Sequence, residues 1–318
     1  MKIPALDPDM AAILKRMEQA ELAPYTGMTP VEARRAQEAR NVYWNEQPPA
    51  VESVIDVSVA GPFGARRMRI YDCAPGSKPR PALLYLHGGG WVIGSIDSHD
   101  IIARELARRS GHVIAAYDYV LAPKHPFPEP LEDCITAFRW LVDRAADTGS
   151  DPERISVAGD SAGAALSLGV ALHQRDSHGR LPAGIGMIYP TTSARLDRES
   201  QKRFGGGDFI LSSAMMEWFW NHHAPDPATR SDPRIELVDA DLGGLPPVYM
   251  SIAELDPLRD EGDLLLERLK ETDTPVEYHL WRGVTHACLP MIRDLKAGRG
   301  FLQEIADFLK RAAGDSMP

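Results

Sequence analysis

From residue 82 onward, short apolar runs alternate with helix-length segments, and this order constrains the fold more than any other feature. The runs are residues 82–86, 113–117, 155–158, 185–189, 248–253 and 276–281. Most are separated by amphipathic stretches such as 101–109, 131–145 and 262–270. Strands joined through helices must run parallel, because a crossover returns the chain to the same end of the sheet. The expectation is an α/β fold with a mostly parallel central sheet flanked by helices. Ahead of it, Val51, Ser53, Ile55, Val57 and Val59 alternate onto one face, and Gly61-Pro62 turns the chain into residues 66–71, an antiparallel pair. In such sheets ligands bind beyond the carboxyl ends of the parallel strands.

Two stretches come before the sheet. Met10, Ile13, Leu14 and Met17 recur with helical spacing behind Asp9, which is read as the N-cap. Thr29-Pro30-Val31-Glu32 carries a capping box and a proline suited to a first turn. These helices are either a lid or a plain docking pair; periodicity does not choose. Between Pro190 and Pro247 the alternation breaks. That interval is polar and Gly-rich, then aromatic and Met-rich at Met215, Met216, Trp218, Phe219 and Trp220, a small core of its own or a roof over an apolar pocket.

Gly159-Asp160-Ser161-Ala162-Gly163 follows one strand and opens a helix-like segment. A strand-to-helix turn this tight strains the serine backbone and presents its hydroxyl above the sheet, and the flanking glycines remove side chains that would collide. A serine hydroxyl needs a base, and the base an orienting acid. Of ten histidines, His286 lies in a loop directly after the last strand. The acid is expected between serine and histidine in chain order. Asp256 emerges on the loop after the strand 248–253 and is the expected acid, with Glu254, close to the strand, a weaker rival and Asp260 read as an N-cap. His87-Gly88-Gly89-Gly90-Trp91 follows residues 82–86. Glycines let backbone N–H groups approach an oxyanion, so Gly88, Gly89 and Ala162 are the expected donors. Trp91, Asp160, Met215 and Trp218 are expected to line the pocket. A Cys288 nucleophile is set aside because no separate oxyanion motif accompanies it, and His222-His223 with Asp226 matches no common metal spacing.

The net charge of −10 argues against a nucleic-acid partner. Three cysteines at unrelated spacings fit no disulfide framework, and reduced thiols suggest the cytoplasm. Lys2 is basic, but Asp7, Pro8 and Asp9 interrupt any apolar run, so neither a signal peptide nor a membrane span is expected. No cofactor and no metal are expected.

Taken together, these motifs resemble those of the bacterial hormone-sensitive lipase-like esterases, carboxylesterases of the α/β-hydrolase superfamily. His87-Gly88-Gly89-Gly90-Trp91 is similar to that family's oxyanion motif and Gly159-Asp160-Ser161-Ala162-Gly163 to its nucleophile elbow. Asp118-Tyr119-Val120-Leu121-Ala122-Pro123 and Asp256-Pro257-Leu258-Arg259-Asp260 are similar to two further family segments. The resemblance implies an α/β-hydrolase fold with a small helical cap, and a serine carboxylesterase acting on short- to medium-chain acyl esters. It implies a cap from residues 1–45 and 191–225, and a catalytic core from 46–190 and 226–318. It also leaves the last strand at a sheet edge, available for pairing into a homodimer. Val120, Lys124, Ala164, Ala287 and Cys288 depart from the family pattern without removing a catalytic group. A non-enzymatic binder on the same fold, or an amide or carbamate hydrolase, are the competing readings. The retained His286 argues against the binder.

Overall fold

The computed structural model describes residues 4–76 and 79–315; Lys2 lies outside them. The chain opens with helices α1 (Pro8–Gln19) and α2 (Pro30–Trp44). In α2 the capping box is formed as expected, Glu32 N on the Thr29 hydroxyl and the Glu32 carboxylate on Thr29 N. In α1 the cap is Asp7 and not Asp9: its side chain accepts from the amides of Asp9 and Met10, with Pro8 beginning the first turn.

Strands β1 (Ser53–Gly61) and β2 (Gly64–Asp72) form the expected antiparallel hairpin. The chain continues through β3 (Arg80–Leu86), α3 (Asp100–Ser110), β4 (Val113–Tyr117), α4 (Glu129–Asp143) and the single turn α5 (Ala145–Thr148). Next come β5 (Ser150–Asp160), α6 (Ala162–Asp176) and β6 (Ile185–Ile188). Two helices, α7 (Glu199–Phe204) and α8 (Ser213–His223), interrupt before β7 (Val248–Leu255), α9 (Arg259–Lys270), β8 (Val276–Thr285) and α10 (Lys296–Ala312). The eight strands are ordered β1-β2-β4-β3-β5-β6-β7-β8. The β1–β2 and β2–β4 pairs are antiparallel, and β4 through β8 run parallel.

Both faces of the sheet are buried, which is why its central strands read as continuous apolar runs and not as alternation. Leu84, Leu86, Val157 and Met187 pack on the face covered by α4, α6 and α9, whereas Leu83, Tyr85, Ala158 and Ile188 meet α3 and α10. Helix α10 was not anticipated from the sequence. Its Phe301, Leu302, Ile305, Phe308 and Leu309 are buried along one stripe.

The N-terminal helices are tied to the core at several points. Arg34 donates to the carbonyls of Val92 and Ala122 at 2.8 and 2.7 Å. Asp7 N donates to Gly283 O at 2.8 Å. Arg16 and Tyr43 both donate to Asp294, at 2.7 and 2.8 Å. Among the described residues no helix is long and apolar enough to cross a membrane.

Candidate active site

The site begins at Ser161, between the last residue of β5 and the first of α6. Its φ of 54° and ψ of −119° lie outside the ordinary regions for a side-chain-bearing residue, a strain that persists only where the surroundings enforce it. The enforcing contacts are close. A Cβ on Gly163 would stand 1.9 Å from Leu86 O, and one on Gly159 2.3 Å from the same oxygen, so neither position admits a side chain.

The end of β8 and the loop after β7 bring the other two residues to this turn. His286 Nε2 is 2.8 Å from Ser161 Oγ, and His286 Nδ1 is 2.7 Å from Asp256 Oδ2. The other Asp256 oxygen accepts from Leu258 N at 2.8 Å. His286 and Asp256 are 3% and 1% exposed, so the pair works away from competing water. The rival carboxylates lie elsewhere. Glu254 accepts from Gly283 N at 2.9 Å and joins β7 to the turn in β8. Asp260 is not an N-cap: that position is Leu258, and Asp260 sits in the first turn of α9, accepting from Ser200 N at 2.8 Å. Cys288 is fully buried and its thiol is pushed up by burial and by the nearby Asp256, which disfavours the thiolate a nucleophile needs.

The oxyanion loop requires a correction. The Gly88 N–H does not face the nucleophile; it donates to Asp160 Oδ1 at 3.0 Å. Gly89 and Gly90 follow with φ of 124° and 57°, left-handed values that favour glycine. The N–H groups of Gly89, Gly90 and Ala162 have no partner among the described residues, Ala162 being the first residue of α6. Gly88 N is thus occupied, and Gly90 N is free beside Gly89 N. The motif showed which residues lack a Cβ, but not which way their amides turn.

Asp160 itself is buried beside the loop. It also accepts from Tyr85 OH at 2.7 Å, and His99 Nε2 lies 3.4 Å from the same oxygen. Burial pushes its carboxyl up, but His99 and Tyr85 more than offset this and hold it below the usual range. His87 stacks on Tyr119 at 4.3 Å, and burial and His99 push its imidazole down to about 4.

A cavity of about 820 Å³ opens over Ser161 and His286. Its floor is Gly88–Gly90, Asp160, Ser161 and Thr191, and its walls come from α1, α2, the segment 207–212 and α8. Of the expected lining residues, Asp160 and Met215 are there; Trp91 and Trp218 are not. Trp91 is buried behind the loop, stacked on His223 at 4.2 Å, and Trp218 packs on Phe219 and His222. The wall instead includes Met216 and Phe219, one helical turn along from Met215. At about 100° per residue Met215, Phe219 and Met216 fall within one arc of α8 and Trp218 lies to one side of it, and that phase was the available signal. A Cβ on Gly90 would stand 2.3 Å from the Phe219 ring, so α8 lies directly against the oxyanion loop.

The departure at Val120 is accommodated by a backbone bond. Val120 is buried and its N–H donates to Asp133 Oδ2 at 2.9 Å, while Arg34 holds Ala122 O. Among the described residues no group of three or more His, Cys, Asp or Glu is arranged to hold a metal ion.

Comparison with known proteins agrees with this architecture. Residues 83–290 match a family described as alpha/beta hydrolase fold. The chain is 36% identical over 298 residues to the ethyl acetate hydrolase of Pseudomonas putida, covering 90% of this chain and 93% of that protein. It is 31% identical to an acetyl esterase of Salmonella typhi, covering 96% of each. Among solved structures, a hyperthermophilic esterase from the archaeon Pyrobaculum calidifontis superposes with a TM-score of 0.93 at 32% identity, covering 97% of this chain and 99% of that one.

Proposed function

Given that the chain belongs to the alpha/beta hydrolase fold family and is a carboxylic ester hydrolase, we propose that Ser161, His286 and Asp256 carry out the reaction through an acyl-enzyme. The observation that carries this reading is the continuous line of contacts from Asp256 through His286 to Ser161 Oγ, at 2.7 and 2.8 Å. His286 accepts the Ser161 proton as Oγ attacks the acyl carbon, and Asp256 holds Nδ1–H so that Nε2 is the accepting nitrogen. The carbonyl oxygen, now negative, is met by the N–H groups of Gly89, Gly90 and Ala162. His286 then returns the proton to the departing alcohol, and water repeats the sequence to release the acid.

The cavity wall suggests the substrate. Leu211, Met215, Met216 and Phe219 offer an apolar slot for an acyl chain of short to medium length. The two relatives named for ethyl acetate and acetyl substrates agree with a small acyl group. Helices α1 and α2 with α7 and α8 act as the cap, held by Arg34, Asp7, Arg16 and Tyr43 in a fixed position. We place the enzyme in the cytoplasm on the strength of its free thiols Cys73, Cys134 and Cys288. The edge strand β8 is the pairing surface for a homodimer.

An aryl phosphonate probe tests the assignment. It should modify Ser161 alone, and Ser161→Ala should abolish both labelling and ester turnover. His286→Ala should cost about as much, and the double variant little more, since the residues act as a unit. Label on another residue, or turnover surviving in Ser161→Ala, refutes the reading.

A further inference from the structure

We infer that Asp160 is a positioning residue that sets the distance between the nucleophile and the oxyanion donors, an inference that rests on the Ser161 assignment above. The two halves of the site stand on different strands. Ser161 follows β5 and Gly88–Gly90 follow β3, so nothing in the covalent chain fixes one against the other. Asp160 belongs to the first half by sequence, as the residue before Ser161, and to the second by contact. Its Oδ1 accepts the Gly88 amide at 3.0 Å.

The contact is tight in both directions. A Cβ on Gly88 would stand 2.4 Å from Asp160 Oδ2, so the loop rests directly on the carboxylate. With the Gly88 N–H drawn back to Asp160, the next two amides, at left-handed φ, are left beside the cavity without a protein partner among the described residues. The carboxylate is in turn held from behind by Tyr85 OH at 2.7 Å and by His99 Nε2 at 3.4 Å. Asp160 and His99 are 4% and 3% exposed, so this bracing is shielded from solvent. A charged acceptor gathers several donors more strongly than a neutral one, which accounts for an aspartate buried here.

One asymmetry separates positioning from charge. Tyr85, Gly88 and His99 all converge on Oδ1. A single amide carbonyl can therefore serve all three, and Asp160→Asn should keep the loop in place. Asp160→Ala removes the acceptor, and the Gly89 and Gly90 amides lose their alignment. A displacement of about 1 Å at such a site costs on the order of 100-fold in rate.

The experiment measures kcat and KM for p-nitrophenyl butyrate, with melting temperatures, in the wild type, Ser161→Ala, Asp160→Ala, Asp160→Ser and Asp160→Asn. The serine hydroxyl is too short to reach Gly88 and serves as a second deletion. Expected are a fall in kcat of about 100-fold in Asp160→Ala and Asp160→Ser with KM within about threefold, and a kcat within about fivefold of wild type in Asp160→Asn. Binding of a trifluoromethyl ketone, which adds to the serine as an oxyanion, should weaken in parallel with kcat/KM. Undiminished kcat in a folded Asp160→Ala, or an Asp160→Asn as impaired as Asp160→Ala, overturns the inference. So does failure of both deletions to fold beside a normal Asp160→Asn, because the residue would then be structural. Turnover surviving in Ser161→Ala instead fails the reading on which the inference rests.

Discussion

Asp256→Asn probes the base through its partner, and the geometry dictates why a nearly isosteric change is severe. Each Asp256 oxygen accepts one donor, Leu258 N at 2.8 Å on Oδ1 and His286 Nδ1 at 2.7 Å on Oδ2. An amide has only one oxygen. If that oxygen stays with Leu258, the NH₂ faces Nδ1, and His286 must carry its proton on Nε2, where it cannot accept from Ser161. If the amide flips, the NH₂ confronts the Leu258 N–H in a site 1% exposed, at a cost of about 1–3 kcal/mol for the unsatisfied amide. The first arrangement is therefore the populated one. Losing the correct tautomer and the charge opposite the imidazolium together amounts to roughly 10⁴-fold in kcat, about 5 kcal/mol. Asp260→Asn is the control. Its contact is with Ser200 N at 2.8 Å, which an amide oxygen accepts equally well, so kcat should stay within about threefold. Both variants are assayed for kcat on p-nitrophenyl butyrate, with melting temperatures to show that the fold survives. An Asp256→Asn enzyme within tenfold of wild type, or an inactive Asp260→Asn, refutes the reasoning.

Acid stability should depend on His223, which burial pushes down to about 3, below the 6.5 of a free imidazole. A depressed folded pKa contributes stability that is present above 6.5 and lost as pH falls toward 3; at pH 5 the loss is about 2 kcal/mol. His223→Phe should therefore lose less stability than wild type between pH 7 and pH 5 in urea melts, and an equal loss in both would remove His223 from the account. Each acyl methylene seated in the slot adds about 0.8 kcal/mol, roughly fourfold in kcat/KM, so specificity should climb to chains of about four to eight carbons and then level. A maximum at sixteen carbons, or activation by an oil interface, would contradict a cap held fixed by Arg34 and Asp294. Sedimentation at micromolar concentration should give twice the 35.0 kDa chain mass, and a strictly monomeric species would remove β8 as a pairing edge.

The sheet, the elbow and the three residues brought together at it were legible because each is a local pattern with one physical solution. Parallel crossovers follow from alternating strands and helices, and a G-x-S-x-G between strand and helix has one way to turn. The acid was legible as the first carboxylate of its loop, and its rivals fell away only when Gly283 N and Ser200 N were seen to occupy them. What could not be read was direction. Gly88 and Gly90 are the same residue type in one motif, yet the fold occupies the Gly88 amide with Asp160 and leaves that of Gly90 without a protein partner among the described residues. Trp91 and Trp218 were expected at the pocket for their aromatic character, but packing against His223 and Phe219 decides which way an aromatic ring goes. Asp7 and Asp9 flank the same proline, and placing Pro8 in the first helical turn was the signal that favoured Asp7. Helix α10 was legible in principle, since its apolar spacing is regular; its Gly298 and Gly300 dilute the pattern.

The clasp between the α1–α2 segment and residues 283–294 bears on how the enzyme is made. Arg16 reaches across 278 positions to Asp294, Tyr43 across 251 to the same carboxylate, and Asp7 to the carbonyl of Gly283. Residues 7–43 thus find their seat only when residues 283–294 have been made. Contacts of such long sequence separation close slowly, and until then the early helices travel with their apolar stripes uncovered. The same segment delivers His286, so a nascent chain has neither its roof nor its base until that segment is made. Activity should therefore switch on only once the segment carrying His286 has been made, and a product truncated after residue 282 should be inert and dependent on chaperones.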